Sequence, residues 1–311
     1  MLLFNYFIKR CLSAIPVIIG VVLVVFILTT IVPGDPAVLM QGQRGDPETI
    51  AKIREDMGLN DPLPVQLFNF YKSVFTLNLG RSYNTNMTVV KAIGTRLPWT
   101  AALAGTAMVF AIIFGILAGI VSATKQYSIF DYLAMFISLL GISSPSFFVG
   151  IVCILIFISK WRIIPGTGTG DRIFSIYIIL PAVTLGYRLL ALIARLTRST
   201  MLEVIRQDYI TTARAKGLRE SVTIFKHALK NALIPVVTVI GLQTASILGG
   251  VAITETIFSW PGIGRLAVDS IIRRDFPMIR GVVLFLALVF VFVNILVDLS
   301  YSILDPRIRY D

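Results

Sequence analysis

The side chains of this sequence that could take part in chemistry are few, and their spacing does not suit a catalytic site. His227 is the single histidine, and it stands in a polar segment far from the serine cluster Ser143, Ser144 and Ser146. A serine nucleophile needs an oriented base beside it. Glycine, serine and proline in an apolar run are instead typical of a membrane helix that kinks or packs closely. We therefore expect helix packing here rather than intramembrane proteolysis.

Two further patterns lack the residues that nucleotide or metal binding needs. The glycine-rich string PGTGTGD at 165–171 is not followed by the Lys-Ser/Thr pair of a phosphate-binding loop, so it predicts an outer turn. Cys11 and Cys153 lie in separate apolar runs, where cysteine usually behaves as a small buried hydrophobic residue. The sequence predicts no metal site, no bound cofactor and no catalytic activity in this chain.

Ionisable residues inside the apolar runs are also scarce. Arg188 either faces the interior of a helix bundle or extends to the membrane interface. Asp298 follows Asn294 by four residues, which places both on one helix face and favours a structural hydrogen-bonded pair. A proton- or ion-driven carrier usually needs a buried relay of charges. This scarcity argues against a self-contained secondary carrier, which remains the alternative.

The elements that must position these residues are membrane-spanning helices. Of the 311 residues, 56% are hydrophobic and 14% are charged, whereas a soluble domain carries about 25% charged residues. The net charge is +11, but the basic residues mostly flank apolar runs, which indicates orientation in a membrane rather than binding to nucleic acid. The expected fold class is an all-α polytopic membrane protein with the lipid bilayer around it.

Six apolar runs are long enough to cross a bilayer. The first predicts a retained helix rather than a cleaved signal peptide, because it is too long and lacks a clear cleavage site. Six spans place both termini on one side, and the basic residues at 9–10, 188–230 and 307–309 predict that this side is cytoplasmic. The predicted spans are Cys11–Val32, Leu97–Thr124, Tyr132–Ser159, Ile173–Tyr187 continued to about Ala194, Asn231–Thr254, and Gly281–Val297 extended towards Leu304.

The predicted organisation has four parts: a first transmembrane helix at 1–32, an extracytoplasmic segment at 33–96, a membrane core at 97–304 and a cytoplasmic tail at 305–311. The core contains a cytoplasmic loop at 195–230 and an outer loop at 255–280.

The two outer segments are predicted to be ordered. In DPETIAKIREDMGLN, Asp46 can cap a short helix that has Pro47 in its first turn and ends at Gly58. The outer loop string TIFSWPGIGRLAVDSIIRRDF combines a Pro-Gly turn with a short amphipathic helix. The apolar residues of the first segment that are expected to be buried are Val65, Leu67, Phe68, Phe70 and Tyr71.

The cytoplasmic loop carries a basic pair of short helices. The string QDYITTARAKG predicts a helix from about Asp208 to Lys216, which ends with Gly217 in the left-handed conformation. A second helix begins at Glu220, and its Val222, Phe225, Ala228 and Leu229 form a narrow apolar stripe. Such a pair either docks in a groove of a partner protein or lies on the anionic inner leaflet.

This loop resembles the "EAA" loop of the permeases of ATP-driven (ABC) importers. The glycine of that pattern falls on Gly217, and its small-residue triplet falls on Thr211, Thr212 and Ala213; Lys230 stands where the general pattern has proline. These departures are usual in the dipeptide/oligopeptide/nickel permease family, and the resemblance covers essentially the whole chain, with an outer segment similar to that of the B-type subunit. The other similar strings are VPGDPA at 32–37, SPSFFVG at 144–150, ARLTRSTMLEV at 194–204, TETIFSWPGIGRL at 254–266 and NILVDLSYSILDPRIR at 294–309.

The resemblance implies a type I importer (MetI-like) architecture with cytoplasmic coupling helices, in the cytoplasmic or inner membrane of a bacterium or archaeon. The chain would form half of a pathway that imports peptides, with nickel chelates or opines as alternative substrates. Its partners would be a second, C-type permease subunit, two ABC ATPases that bind ATP and magnesium, and an extracytoplasmic binding protein. A non-transporting sensor or scaffold that uses the loop only to bind a partner is a further alternative.

The resemblance also assigns site residues. Ala213, Gly217, Val222, Phe225 and Ala228 would enter a groove of the ATPase. The full set expected to couple to the ATPase is Asp208, Tyr209, Ala213, Ala215, Lys216, Gly217, Leu218, Val222, Phe225, His227, Ala228, Asn231 and Pro235. The residues expected to form an outer gate or a contact for the binding protein, or else to serve only the fold of their loop, are Trp260, Pro261, Gly262 and Gly264.

Overall fold

The computed structural model describes residues 2–31, 37–38, 46–56, 58–170 and 172–304. The regular secondary structure of this part is helical, with connecting loops and an isolated β-bridge between Arg81 and Thr88. The shorter helices are α2 (Pro47–Asp56), α3 (Leu63–Phe75), α6 (Ser146–Cys153), α8 (Asp208–Ala215), α9 (Glu220–Val222) and α11 (Ile263–Ile272). The longer ones are α1 (Leu2–Ile31), α4 (Val89–Thr124), α5 (Ile129–Ser143), α7 (Ile179–Ile205), α10 (Leu229–Ile257) and α12 (Phe276–Leu304).

Five helices within the described ranges are long and apolar enough to cross a membrane, and a bent pair would make a sixth span. The predicted span Tyr132–Ser159 is this bent pair rather than one straight helix, because the chain turns by 115° between Ile129–Ser143 and Ser146–Lys160. Pro145 explains the break: proline disfavours the helical conformation of the residue before it, and Ser144 is extended at φ −83° and ψ 136°. The kink expected for the serine cluster is thereby confirmed.

Helix α7 is the most buried of the candidate spans, although its mean hydropathy of 1.9 is below the 2.4 to 3.0 of the spans in α1, α4 and α12. Just over half (56%) of its most apolar window is buried, against 28% or less for the other spans. The helix follows a 3₁₀ turn at Ile176–Ile178 and continues to Ile205. The helix therefore continues through 195–205, past the predicted end of the span near Ala194 and into the segment predicted to be the cytoplasmic loop.

Glycines on neighbouring helices allow this burial. Gly115 and Gly119 of α4 are four residues apart and both face α7, the spacing that lets two membrane helices approach closely. A β-carbon added to Gly119 would lie 2.5 Å from the Cβ of Thr197 and 2.8 Å from the carbonyl oxygen of Ala194. On α5, Gly141 packs against Ala191 in the same way. The close packing expected for small residues is confirmed.

We expect Gly119→Ala to destabilise the protein by about 1–3 kcal/mol, because the new methyl group overpacks the contact with α7. The matched control is Gly105→Ala on the same helix, where an added β-carbon meets nothing within 4 Å. This control should be neutral or slightly stabilising, since alanine is the better helix former. The apparent melting temperatures of the two variants in detergent test the difference, and equal values would contradict it.

The described residues form two compact units, one within 2–98 and 262–296 and the other within 99–261 and 297–304. In the first unit, Phe70 and Val74 of α3 are buried against Val22, Val25 and Phe26 of α1. The hydroxyl group of Tyr71 donates a hydrogen bond to the carbonyl oxygen of Ile19 at 2.7 Å. Helix α3 is thus an ordered element that packs on the first span, as the apolar residues predicted.

Two of those apolar residues are not buried: Val65 and Phe68 are 44% and 69% exposed, so the burial prediction is wrong for them. The short helix α2 is confirmed, since Asp46 accepts a hydrogen bond from the backbone N–H of Thr49 at 3.3 Å and Gly58 has a φ of +65°. The amphipathic helix of the outer loop is also confirmed: Ile263 and Leu266 of α11 are buried, whereas the side chains of Arg265 and Asp269 are 34% and 39% exposed.

Some sequence predictions fall outside the described residues. The cytoplasmic tail 305–311 and the side chains of Cys11 and Asp298 are among them. Cys153 is a free thiol that is half-buried rather than fully buried. The side-chain amide of Asn294 donates to the carbonyl oxygen of Phe290 at 2.8 Å.

Candidate coupling elbow and membrane cavity

The polar segment after α7 folds into two helical arms joined by a tight turn, and we call residues 206–228 the elbow. The first arm is α8, and Gly217 follows it with a φ of +77°. The N–H groups of Gly217 and Leu218 donate to the carbonyl oxygens of Arg214 and Ala213, at 2.9 and 3.4 Å. Glycine adopts this left-handed conformation without the steric cost that a β-carbon brings. The predicted hinge at Gly217 is confirmed.

The second arm is not a separate short helix, and that part of the prediction is wrong. It begins at Glu220, passes through a π-helical turn at Thr223–Ala228 and continues without a break into α10. The apolar helix over Glu220–Thr244 is itself one of the candidate spans. The second arm of the elbow is therefore the end of a membrane helix, and a displacement of this arm acts directly on that helix.

The face of the elbow that packs against the membrane helices is small and apolar. Ile210, Ala228 and Ala232 are buried in one cluster with Ala123 and Met201. Ala213 is also buried, at 7% exposure. Ala213 and Ala228, which were predicted to enter a groove of an ATPase, thus face this chain's own helices instead of the outward side of the elbow.

The outward face of the elbow carries larger apolar side chains. Leu218, Val222 and Phe225 are 40%, 36% and 56% exposed, and Tyr209 is 41% exposed. The predicted stripe thus divides, with Val222 and Phe225 outward and Ala228 inward, because a π-helical turn is wider than an α-helical one and changes which residues share a face. Of the other predicted coupling residues, His227 is half-buried and the exposed ones are Asp208, Ala215, Lys216, Gly217, Asn231 and Pro235.

Two side-chain contacts that the sequence analysis missed hold the arms together. Arg214 and Glu220 pair across the turn, with Nη2 to Oε1 at 2.7 Å and Nε to Oε2 at 3.1 Å. The side-chain amide of Asn231 donates to the hydroxyl oxygen of Tyr209 at 2.8 Å. Glu220 raises the pKa of the Arg214 guanidinium through this hydrogen bond. Arg214 and Glu220 are six residues apart, whereas neighbours on one helix face are three or four residues apart. The pair could therefore be predicted only with knowledge of the left-handed turn between them.

A buried ion pair lies in the second unit close to the elbow in sequence. Arg198 of α7 donates to both carboxylate oxygens of Asp131, from Nε at 2.6 Å and from Nη2 at 2.7 Å. Asp131 is 2% exposed and also accepts from the hydroxyl group of Ser122 and from the backbone N–H of Tyr127. These contacts connect α4, α5 and α7. Ser128 is the N-cap of α5, and its side chain accepts a hydrogen bond from the backbone N–H of Asp131. The spacing of these two residues is typical of a helix N-terminus and could have located the start of α5 from the sequence.

An open cavity of about 490 Å³ lies among α5, α6, α7 and α10. Arg188 is exposed and lines it, a position that fits the first of the two predicted placements. Gln243 and Ser246 of α10 and Ser146 of α6 add polar groups to the wall. The sequence analysis did not single out these two residues of α10.

Residues 111–310 match the family described as "binding-protein-dependent transport system inner membrane component", and residues 3–104 match the N-terminal domain of the same kind of protein. The chain belongs to this family. It is therefore an inner-membrane component of a transport system rather than an enzyme, which confirms the resemblance and the MetI-like, all-α fold class.

Three relatives of this binding-protein-dependent permease cover the whole fold. The dipeptide transport system permease protein of Alkalihalophilus pseudofirmus is 45% identical over 98% of this chain and 99% of its own length. The glutathione transport system permease protein of Pectobacterium atrosepticum is 42% identical over the same shares. The di/tripeptide transport system permease protein of Pseudomonas aeruginosa is 40% identical, again over 98% and 99%.

The residues predicted at an outer gate of the permease are mostly buried. Trp260 has no exposed surface; its indole N–H donates to the carbonyl oxygen of Trp99 at 3.0 Å, and the two rings pack edge to face at 5.3 Å. This burial favours the alternative prediction for Trp260, a role in the fold of its loop, over a direct contact with a binding protein. Pro261 is half-buried, and Gly262 and Gly264 are buried.

Proposed function

We propose that this permease is the membrane subunit through which an ATP-driven importer takes up peptides. Its full-length relatives are named for dipeptide, di/tripeptide and glutathione transport. These substrates are all peptides or peptide-like molecules, whereas no observation favours nickel chelates or opines. The feature of the chain that carries the proposal is the elbow, which exposes three apolar side chains at the end of a membrane helix.

The partners follow from this arrangement. A second permease subunit completes the pathway, two cytoplasmic ATPases bind ATP and magnesium, and a binding protein outside the membrane delivers the substrate. The present chain binds none of these cofactors itself. In this assembly the elbow faces the cytoplasm and both termini lie on that side, in agreement with the concentration of basic residues at 9–10, 206–230 and 307–309.

The elbow supplies the mechanism. A hydrophobic groove of an ATPase binds the outward face of the elbow through Leu218, Val222 and Phe225, as such grooves bind the apolar face of an amphipathic helix. Closure of the two ATPases upon ATP moves the elbow. Because the second arm continues into α10, the movement passes to a membrane helix and shifts the pathway between inward- and outward-facing states. The Arg214–Glu220 pair keeps the two arms together during this movement.

Uptake of radiolabelled dipeptide into proteoliposomes tests the proposal. The vesicles contain this chain, its partner permease and both ATPases, with the binding protein on the substrate side. We expect uptake only when ATP and the ATPases are present. Uptake that persists without the ATPases would instead identify a secondary carrier, and a scaffold would move no solute under any condition. Transport of chelated nickel but not of peptide would keep the architecture and change the substrate.

A further inference from the structure

We propose that the cavity beside Arg188 is a binding site for the carboxylate group of the transported peptide, with the Arg188 guanidinium as the anion-binding group. This inference rests on the proposed function and adds to that function a site for substrate recognition inside the membrane part of this chain.

The position of Arg188 in the membrane is the first observation. Arg188 lies near the middle of the 30-residue span Ile176–Ile205. A charged side chain at this depth is costly unless it faces water, a partner or a ligand, and it marks functional sites in membrane proteins. Among the described residues, no hydrogen-bond acceptor or carboxylate pairs with this guanidinium, in contrast to Arg198 on the same helix, which is paired with Asp131.

The composition of the cavity wall is the second observation. Its described lining contains the positive charge of Arg188 and the neutral polar groups of Ser146, Gln243 and Ser246, but no aspartate or glutamate. The wall therefore has one positive charge, with hydrogen-bonding groups around it. A guanidinium group binds a carboxylate through two parallel hydrogen bonds. A free peptide has such a carboxylate at its C-terminus.

The dimensions of the cavity suit a small peptide. Its volume of about 490 Å³ lies within the range of ligand pockets, roughly 300–1,000 Å³. Gly249 of α10 lines the cavity, and a β-carbon added there would meet nothing within 4 Å, so this part of the wall is open. Leu185, Leu189 and Ile247 form the apolar part of the wall, against which a peptide side chain can lie.

The exposed face of α7 continues from the cavity towards the elbow. Arg195 is exposed and follows Arg188 by seven residues, which places it on the same face about 10 Å further along the helix. The next exposed carboxylate on this helix is Glu203, about 22 Å from Arg188 along the axis, too far to pair with it. Lipid would cover the charged face with Arg188 and Arg195 only at a high cost. This face is therefore suited to line an aqueous pathway for an anionic group.

The test compares a dipeptide acid with its amide. In the complete importer, uptake of Ala-Ala and of Ala-Ala amide is measured together with the rate of ATP hydrolysis, for the wild type, Arg188→Gln and Arg188→Lys. The binding protein is the same in each case, so its own preference cancels when the acid-to-amide ratio of a variant is divided by that of the wild type.

We expect Arg188→Gln to lower uptake of Ala-Ala about tenfold, the usual size of the loss of a charge-assisted hydrogen bond. Uptake of the amide and the ATP hydrolysis stimulated by loaded binding protein should stay unchanged. Arg188→Lys should be intermediate, because it keeps the charge and loses the two-pronged geometry. The matched control is Arg162→Gln, an exposed arginine of the same unit outside the cavity, which should match the wild type.

Three results would overturn the inference. Equal losses for acid and amide would indicate that Arg188 pairs with a group of the second permease or with a lipid phosphate. A parallel loss of uptake and ATP hydrolysis would indicate a structural role, and unchanged uptake would show that Arg188 does not contact the substrate. A wild-type importer without ATP-driven peptide uptake would instead contradict the proposed function.

Discussion

Phe225→Asp is expected to abolish ATP-driven peptide uptake while the importer still assembles. Phe225 is the most exposed of the apolar side chains on the outward face of the elbow. Its burial in an ATPase groove is worth about 1.5–3 kcal/mol, and an unpaired carboxylate at the same place adds a desolvation cost of several kcal/mol. The two effects together remove the contact through which ATP binding moves α10.

The substitution should leave the fold of the chain intact. The Phe225 side chain is 56% exposed, and surface substitutions of this kind usually change stability by about 0.5 kcal/mol or less. Phe225→Leu is the matched control, since it keeps an apolar side chain at the same position and should retain most of the uptake. Co-purification of the four membrane and ATPase subunits, together with ATP hydrolysis and uptake in the same vesicles, measures the effect.

An assembled Phe225→Asp importer that transports at the wild-type rate would contradict the docking role. The remaining explanation for the basic elbow would then be attachment to the anionic leaflet. That alternative predicts that uptake depends on the fraction of anionic lipid in the vesicles and not on the side chain at 225. The docking role predicts that uptake depends on the side chain at 225 and not on the fraction of anionic lipid.

The sequence predicted the positions of the elements well wherever the signal was local. Gly217 after a polar helix indicates a left-handed helix end, Pro145 after two serines indicates a kink, and Asp46 before Pro47 indicates a helix start; all three are found. Each depends on the conformational preference of one or two residues, which is present in the sequence itself.

The sequence was less successful with burial, because burial depends on residues that are distant in the chain. Ala213 and Ala228 were expected outside and are inside, since Ile210, Met201 and Ala123 gather around this face of the elbow. Trp260 was expected at the surface and is covered by Trp99. Helix α7 looked marginal by hydropathy, yet its burial comes from glycines on α4 and α5 that its own sequence does not contain.

The cavity and the two ion pairs could not be located from spacing alone. Arg188 was visible as a charge in an apolar run, but Gln243 and Ser246 come to the same wall only through the packing of α7 against α10. The partners Asp131 and Arg198 are 67 residues apart. A pair of this kind becomes predictable only when the helices that carry it are known to be neighbours.

Asp131→Asn is expected to destabilise the permease by about 3–5 kcal/mol, the usual cost of removing one partner of a buried ion pair. Arg198 would keep its charge next to a neutral amide, and the oxygens that now accept from Ser122 and Tyr127 would be partly lost. The exposed pair on the elbow gives the matched comparison. Arg214 and Glu220 are 40% and 56% exposed, so Glu220→Gln should cost only about 0–1 kcal/mol after screening by solvent.

The apparent melting temperature of the detergent-solubilised protein measures both effects. The double variant Asp131→Asn with Arg198→Gln should recover part of the lost stability, because no unpaired charge remains in the buried site, and the coupling between the two positions follows from the double-mutant cycle. Equal costs for Asp131→Asn and Glu220→Gln would contradict the prediction. A large difference would show that the connection of α4, α5 and α7 depends on Asp131, and that the membrane helices beside the elbow are held by a polar contact as well as by the packing of glycines.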